Sequence, residues 1–69
     1  MIPEDFFDAL LASLTPREEM VLRCLYGLRT TKLSASEAAK HWGVGPSRIH
    51  QIRKKALLKV ANRLSSHQE

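Results

Sequence analysis

The stretch GVGPSRIHQIRKKALLKV, residues 43–60, constrains the fold more than any other part of the chain. Two glycines flank Val44, and Pro46 follows at once. Glycine takes the left-handed conformation that ends a helix. Proline lacks a backbone donor and fits the first position of the next helix. Beyond Pro46, Ile49, Ile52, Ala56, Val60 and Leu64 recur at helical spacing. The segment before it, SASEAAKHW, is short, rich in alanine and opened by a Ser-x-x-Glu capping box, Ser34 with Glu37; Ser36 is a competing cap. A short helix, a tight glycine turn and a longer basic helix form the helix-turn-helix pattern, here residues 34–64. Ala38 and Ala39 are small enough for the two helices to cross closely. Val44 is expected to point inward, and Trp42 to act as a core residue or partly buried lid.

Upstream, two more helices are expected. PEDFFDALLAS starts with Pro3 and places acids in its first turn, where the helix dipole favours them. TPREEMVLRCLYG has Thr15 and Glu18 as a capping box, Pro16 at its first position and Gly27 as its stop. Met20, Val21, Cys24, Leu25 and Leu28 are its expected apolar face. The fourth helix is expected to fray into SSHQE after Leu64. The predicted fold is a small all-α, four-helix domain over residues 1–69. A chain of 69 residues buries only about 60% of its unfolded surface, and helix packing is the cheapest core available to it.

One cysteine, Cys24, excludes an internal disulfide and suits a reducing compartment. His41, His50 and His67 lack metal-ligand spacing, and no metal or cofactor is expected. No nucleophile motif, paired acids or phosphate-binding glycine loop occurs, so the chain is not expected to be an enzyme or to take a small-molecule substrate. No apolar run is long enough to span a membrane, and no signal peptide opens the chain. A soluble, cytoplasmic protein is expected.

Charge is unevenly distributed. Residues 1–22 hold five acids against Arg17, whereas residues 23–69 hold ten Lys or Arg against Glu37 and Glu69. Six of the ten lie between Arg48 and Arg63 with no acid among them. A helix stabilised only by its own surface would interleave Glu with Lys. The pattern points to double-stranded DNA. On a helical wheel Ser47, Gln51, Lys54 and Leu58 lie opposite the core stripe, flanked by Arg48, His50, Lys55 and Asn62. A recognition helix uses its N-terminal half for base edges, so Ser47 and Gln51 are the expected readers. Arg48, His50, Lys54 and Lys55 suit phosphates, although Lys54 or Arg48 has the chemistry to reach a guanine. Lys40 is a further phosphate candidate.

Residues 14–28, LTPREEMVLRCLYGL, and residues 48–60, RIHQIRKKALLKV, resemble the fourth conserved region of housekeeping-type (sigma-70 family) RNA polymerase sigma factors. FFDALLAS resembles the helix that opens that region. The resemblance covers nearly the whole chain. It implies a helix-turn-helix that binds the upstream (−35) promoter element and an apolar surface that grips the β flap of RNA polymerase. It also implies that Arg48 and Gln51 keep family identities in the recognition helix, that Arg17 keeps a backbone-contact position and that Lys55 keeps a basic outer position where activators dock. Phe6, Phe7, Leu10 and Leu11 are the candidate partner-binding residues, with core filling an equal alternative.

The departures from the family pattern are specific. Pro46 and Ser47 replace a common Arg-Glu pair of base readers, His50 replaces an arginine, Arg53 replaces an acid and Leu25 replaces a basic residue. Because a bidentate base contact supplies about 1–3 kcal/mol of discrimination, these changes should relax or alter specificity while Arg53 and Lys54 keep general attraction. The chain lacks the length for the regions that bind the polymerase clamp and melt promoters, so it is expected to be a stand-alone or excised domain. Two other functions fit the residues. One is a mimic that occupies the sigma region 4 site on polymerase without reading DNA. The other is a generic helix-turn-helix repressor, perhaps dimeric, of the LuxR type, which shares the Leu-Thr-Pro-Arg-Glu motif but not the recognition-helix pattern; Leu58 and the C-terminal turn are its only hints of a dimer surface.

Overall fold

The computed structural model describes residues 4–65. Pro3, His67 and the rest of the expected fraying tail lie outside the described residues. Four helices follow in order: α1, Glu4–Leu11; α2, Pro16–Tyr26; α3, Ala35–Trp42; and α4, Pro46–Ser65. No strand occurs among the described residues. The helix-turn-helix is α3, the turn at 43–45 and α4.

Local chemistry sets each boundary. At α2, the Thr15 hydroxyl accepts from Glu18 N–H and the Glu18 carboxylate accepts from Thr15 N–H. Ser34 and Glu37 repeat this exchange at α3. Each box satisfies two backbone donors that the first helical turn leaves unpaired. Gly27 (φ 67°) and Gly43 (φ 65°) end α2 and α3 in the left-handed conformation. Gly43 N–H donates to the carbonyls of Ala39 and Lys40, and Val44 N–H donates to Ala39 at 2.9 Å. This closes α3 and aims the chain into α4, where Pro46 stands first. A Cβ at residue 43 would meet nothing within 4 Å. Gly43→Ala is therefore expected to cost about 1 kcal/mol through backbone conformation alone. Urea unfolding should show that loss with an unchanged helical signal; no loss would mean that the left-handed turn is not required.

The core has two parts, bridged by α2 and α4. In one, Val21, Ala38, Ala39, Ile49 and Ile52 are buried, with Leu25, Ala35, Trp42 and Val44 packed around them. Ala38 is wholly buried, which allows the close crossing of α3 and α4. In the other, Leu11, Leu14, Leu22 and Ala56 are buried beneath Leu28 and Val60. The expected α4 stripe is thus buried at Ile49, Ile52 and Ala56, half-buried at Val60 and open at Leu64, which is 40% exposed. Leu64 lines an apolar groove with Phe6 and Phe7 of α1 rather than sitting in the sealed core. Within α2 the expected face also needs correction. Met20 is exposed, and Leu22 takes a buried place. A helix that packs against neighbours on two sides buries a wider arc than the single stripe used to choose Met20.

Ion pairs fasten the N-terminal half. Arg23 spans Asp8 at 2.8 Å and Glu19 at 2.9 Å. Arg29 reaches Asp8 at 2.9 Å and Asp5 at 3.2 Å. These bonds join α1 to α2 and to the loop after it. The Arg23 guanidinium, followed by that of Arg29, holds the Asp8 carboxyl below its usual range.

Candidate functional site

The residues expected at the DNA surface fall into two neighbouring groups on α4. Arg48, Gln51 and Lys55 line a depression of about 190 Å³. Its other wall is the start of α2, with Thr15, Arg17 and Glu18. Arg17 is thus brought beside the recognition helix from a position 31 residues before Arg48, which sequence spacing alone does not show. Arg48, Gln51 and Lys55 are all exposed and recur one turn apart. Arg48 Nη1 approaches Gln51 Oε1 at 3.5 Å.

The second group lies further round the helix. His50 and Lys54 line a shallow depression with Arg53, Leu57 and Leu58. Ser47 is exposed in the first turn of α4. Lys40 is exposed in the last turn of α3 and lines neither depression. Arg53, read from sequence as an added surface charge, is half-buried, and its Nε lacks a hydrogen-bond partner.

Behind the first group sits a buried carboxylate. Glu18, only 6% exposed, accepts from Lys59 Nζ at 2.8 Å as well as from Thr15 N–H. One side chain therefore caps α2 and pins α4. Lys59, followed by the Thr15 backbone, holds the Glu18 carboxyl below its ordinary value of 4.5. A depressed carboxylate stabilises the fold above its unfolded value. That contribution is lost as pH falls through the lower folded value. Glu18→Gln is expected to lower stability at neutral pH by about 1–3 kcal/mol. The deficit should shrink as the pH drops below about 4.5, because wild type then loses the same interaction. Urea midpoints of both proteins from pH 3 to 7 check this; a pH-independent deficit would show that the charge is irrelevant.

The expected partner-binding residues divide. Phe6 is 44% exposed and Phe7 half-buried, their rings meeting edge to face at 5.9 Å. Leu10 and Leu11 are buried. They belong to the core as well as to the floor of a wholly apolar groove of about 430 Å³. Tyr26, Leu57, Val60 and Leu64 complete its walls. Sequence reasoning missed Tyr26 and Leu57 and placed Val60 and Leu64 in the core stripe; the signal for Leu57 was its spacing of three and seven residues from Val60 and Leu64, which puts it on their side of the helix.

Among the described residues, no cluster of His, Cys, Asp and Glu is suited to hold a metal ion. No helix is long and apolar enough to cross a membrane. Cys24 is buried, and burial pushes its thiol up.

These helices define a helix-turn-helix module with a basic second helix. Residues 10–62 match the family model for Sigma-70, region 4. The chain belongs to that family, and it is a DNA-binding module of the kind used in transcription regulation. No solved structure matches the chain.

Proposed function

We propose that this chain docks on promoter DNA of the −35 type through the N-terminal half of α4, and that it holds the RNA polymerase β flap in the apolar groove. The observation that carries this reading is the division of α4 into separate faces. Arg48, Gln51 and Lys55 meet Arg17 on one side, while Leu57, Val60 and Leu64 face the groove. At 100° per residue these two sets lie on opposite sides of the helix. A duplex and a protein partner therefore need not compete for the same surface.

In this reading Gln51 and Ser47 meet base edges. Gln51 has the donor and acceptor needed for adenine, whereas Ser47 is a permissive contact. Arg48, His50, Lys54 and Lys55 hold phosphates, with Arg17 and Lys40 at the edges. Pro46 has no side-chain donor with which to read a base. Sequence discrimination is accordingly modest, and the partner supplies much of the address. Phe6 and Phe7 form the exposed part of the groove, with Leu10 and Leu11 beneath them.

The test is binding to a −35 consensus duplex, a scrambled duplex and the isolated β flap at two salt concentrations. The expected result is a modest preference for the consensus, steep weakening with salt and saturable binding of the flap. Equal affinity for both duplexes with tight flap binding would replace promoter reading by the polymerase-site mimic. Flap binding at background level would remove the polymerase part of the proposal.

A further inference from the structure

We propose that Lys59 is a positioning residue for DNA binding: through Glu18 it holds the start of α2 against α4, so that Arg17 and Arg48 present their charges to the same stretch of DNA backbone. Helical spacing alone suggests another role. At 100° per residue, Arg48, Gln51, Lys55 and Lys59 fall within an arc of about 80°, which would make Lys59 the next phosphate contact of a basic stripe. The fold engages it otherwise. Its Nζ donates at 2.8 Å to Glu18 Oε1, the same oxygen that accepts from Thr15 N–H at 3.0 Å. The Glu18 side chain is only 7% exposed, whereas that of Lys59 is 37% exposed. If Lys59 left for a phosphate, an ionised carboxylate would stay behind in the interior without its countercharge, which is costly. Lys59 therefore stays on Glu18 when DNA arrives.

Two effects of this tie reach the DNA surface. Glu18 follows Arg17 directly in the chain and lines the depression that Arg17 shares with Arg48, Gln51 and Lys55. Fixing the Glu18 side chain on α4 thus fixes the backbone that carries Arg17, on the wall facing Arg48. Lys59 also cancels the charge of Glu18. Without that countercharge, a carboxylate in the wall of the depression would repel the phosphate that Arg17, Arg48 and Lys55 attract. Both effects presuppose the phosphate role of Arg17 proposed above.

The test is a charge-neutral removal of the tie, Glu18→Gln together with Lys59→Met, in the wild-type and Arg17→Ala chains. The glutamine still completes the capping box, the methionine keeps the apolar stem, and the net charge is unchanged. Affinity for a scrambled duplex is read by fluorescence anisotropy at several salt concentrations, at a temperature where every variant keeps its full helical signal. A scrambled duplex suffices because phosphate contacts carry no sequence information. Arg17→Ala alone should flatten the salt slope by about 0.9 and weaken binding about eightfold near 0.1 M salt. Removing the tie from the wild-type chain should reproduce much of that loss, and removing it from the Arg17→Ala chain should add nothing. Equal losses in both chains would make Lys59 a direct phosphate contact, and no loss in either would leave it purely structural; each result overturns the proposal. An unchanged slope for Arg17→Ala would instead overturn the phosphate role of Arg17 on which the proposal stands. Nuclear magnetic resonance of the unaltered chain gives a second check. Adding duplex should shift the Arg17 Nε–H resonance and leave that of the Lys59 ammonium in place; movement of Lys59 onto DNA would overturn the proposal.

Discussion

Ile49→Ala is expected to unfold much of the population. Ile49 has no exposed surface and lies where α2, α3 and α4 meet. Truncating a buried isoleucine to alanine costs about 2–5 kcal/mol, through lost apolar burial and the cavity left behind. A domain of 69 residues has on the order of 3–10 kcal/mol to lose. Neighbours give little relief. Ala38 and Ala39 have no reach to fill the space, and Val21 is itself wholly buried. Thermal unfolding followed by circular dichroism should show a large fall in midpoint. Ile49→Val should cost only about 0.5–1.5 kcal/mol. Equal stability of the alanine variant and wild type would mean that the interior near residue 49 is not packed as described.

Changing both Lys54 and Lys55 to alanine is expected to have the largest effect on DNA binding. Both side chains are exposed, so the fold should not suffer. Each neutralised phosphate contributes about 0.9 to the slope of log affinity against log salt. Losing two should flatten that slope by about 1.8 and weaken binding on the order of 50-fold near 0.1 M salt. The loss should be similar for consensus and scrambled duplexes, because phosphate contacts carry no sequence information. Gln51→Ala should act differently, reducing the preference for consensus while leaving the salt slope in place. Fluorescence anisotropy at several salt concentrations separates the two. An unchanged slope for the lysine double variant would place the DNA on another face.

The features legible in the sequence were the ones made by neighbours along the chain. The capping boxes at Thr15 and Ser34, the glycine stops at 27 and 43 and the proline start at 46 each depend on a few consecutive residues. They set the bounds of α2 and α3, the turn, and the start of α4. The α4 stripe through Ile49, Ile52 and Ala56 was legible for the same reason. Contacts between helices were not. Nothing in the spacing pairs Glu18 with Lys59, forty-one positions away. Asp8, Arg23 and Arg29 carry ordinary surface charges until the fold joins them. Met20 and Leu22 were exchanged because α2 packs on two sides. Leu64 is open because it lines the groove between α1, α2 and α4 rather than the sealed core. For the candidate DNA surface, the wheel placed Gln51 and Lys54 outward, but only the packing of α2 on α4 brought Arg17 to Arg48. The groove depends still more on tertiary structure, since its walls come from α1, α2 and α4.

The shared carboxylate of Glu18 ties the opening of one helix to the release of another. Fraying the first turn of α2 withdraws the acceptor from Lys59, and pulling α4 away removes the charge that holds Glu18 in place. The two segments therefore open as one cooperative unit, and their amides should share a common free energy of hydrogen exchange. Arg17 on α2 and Arg48 on α4 are carried by those same segments. The two sides of the proposed phosphate cradle are then assembled together or not at all, which spares the chain half-formed states with a basic arm loose in solution.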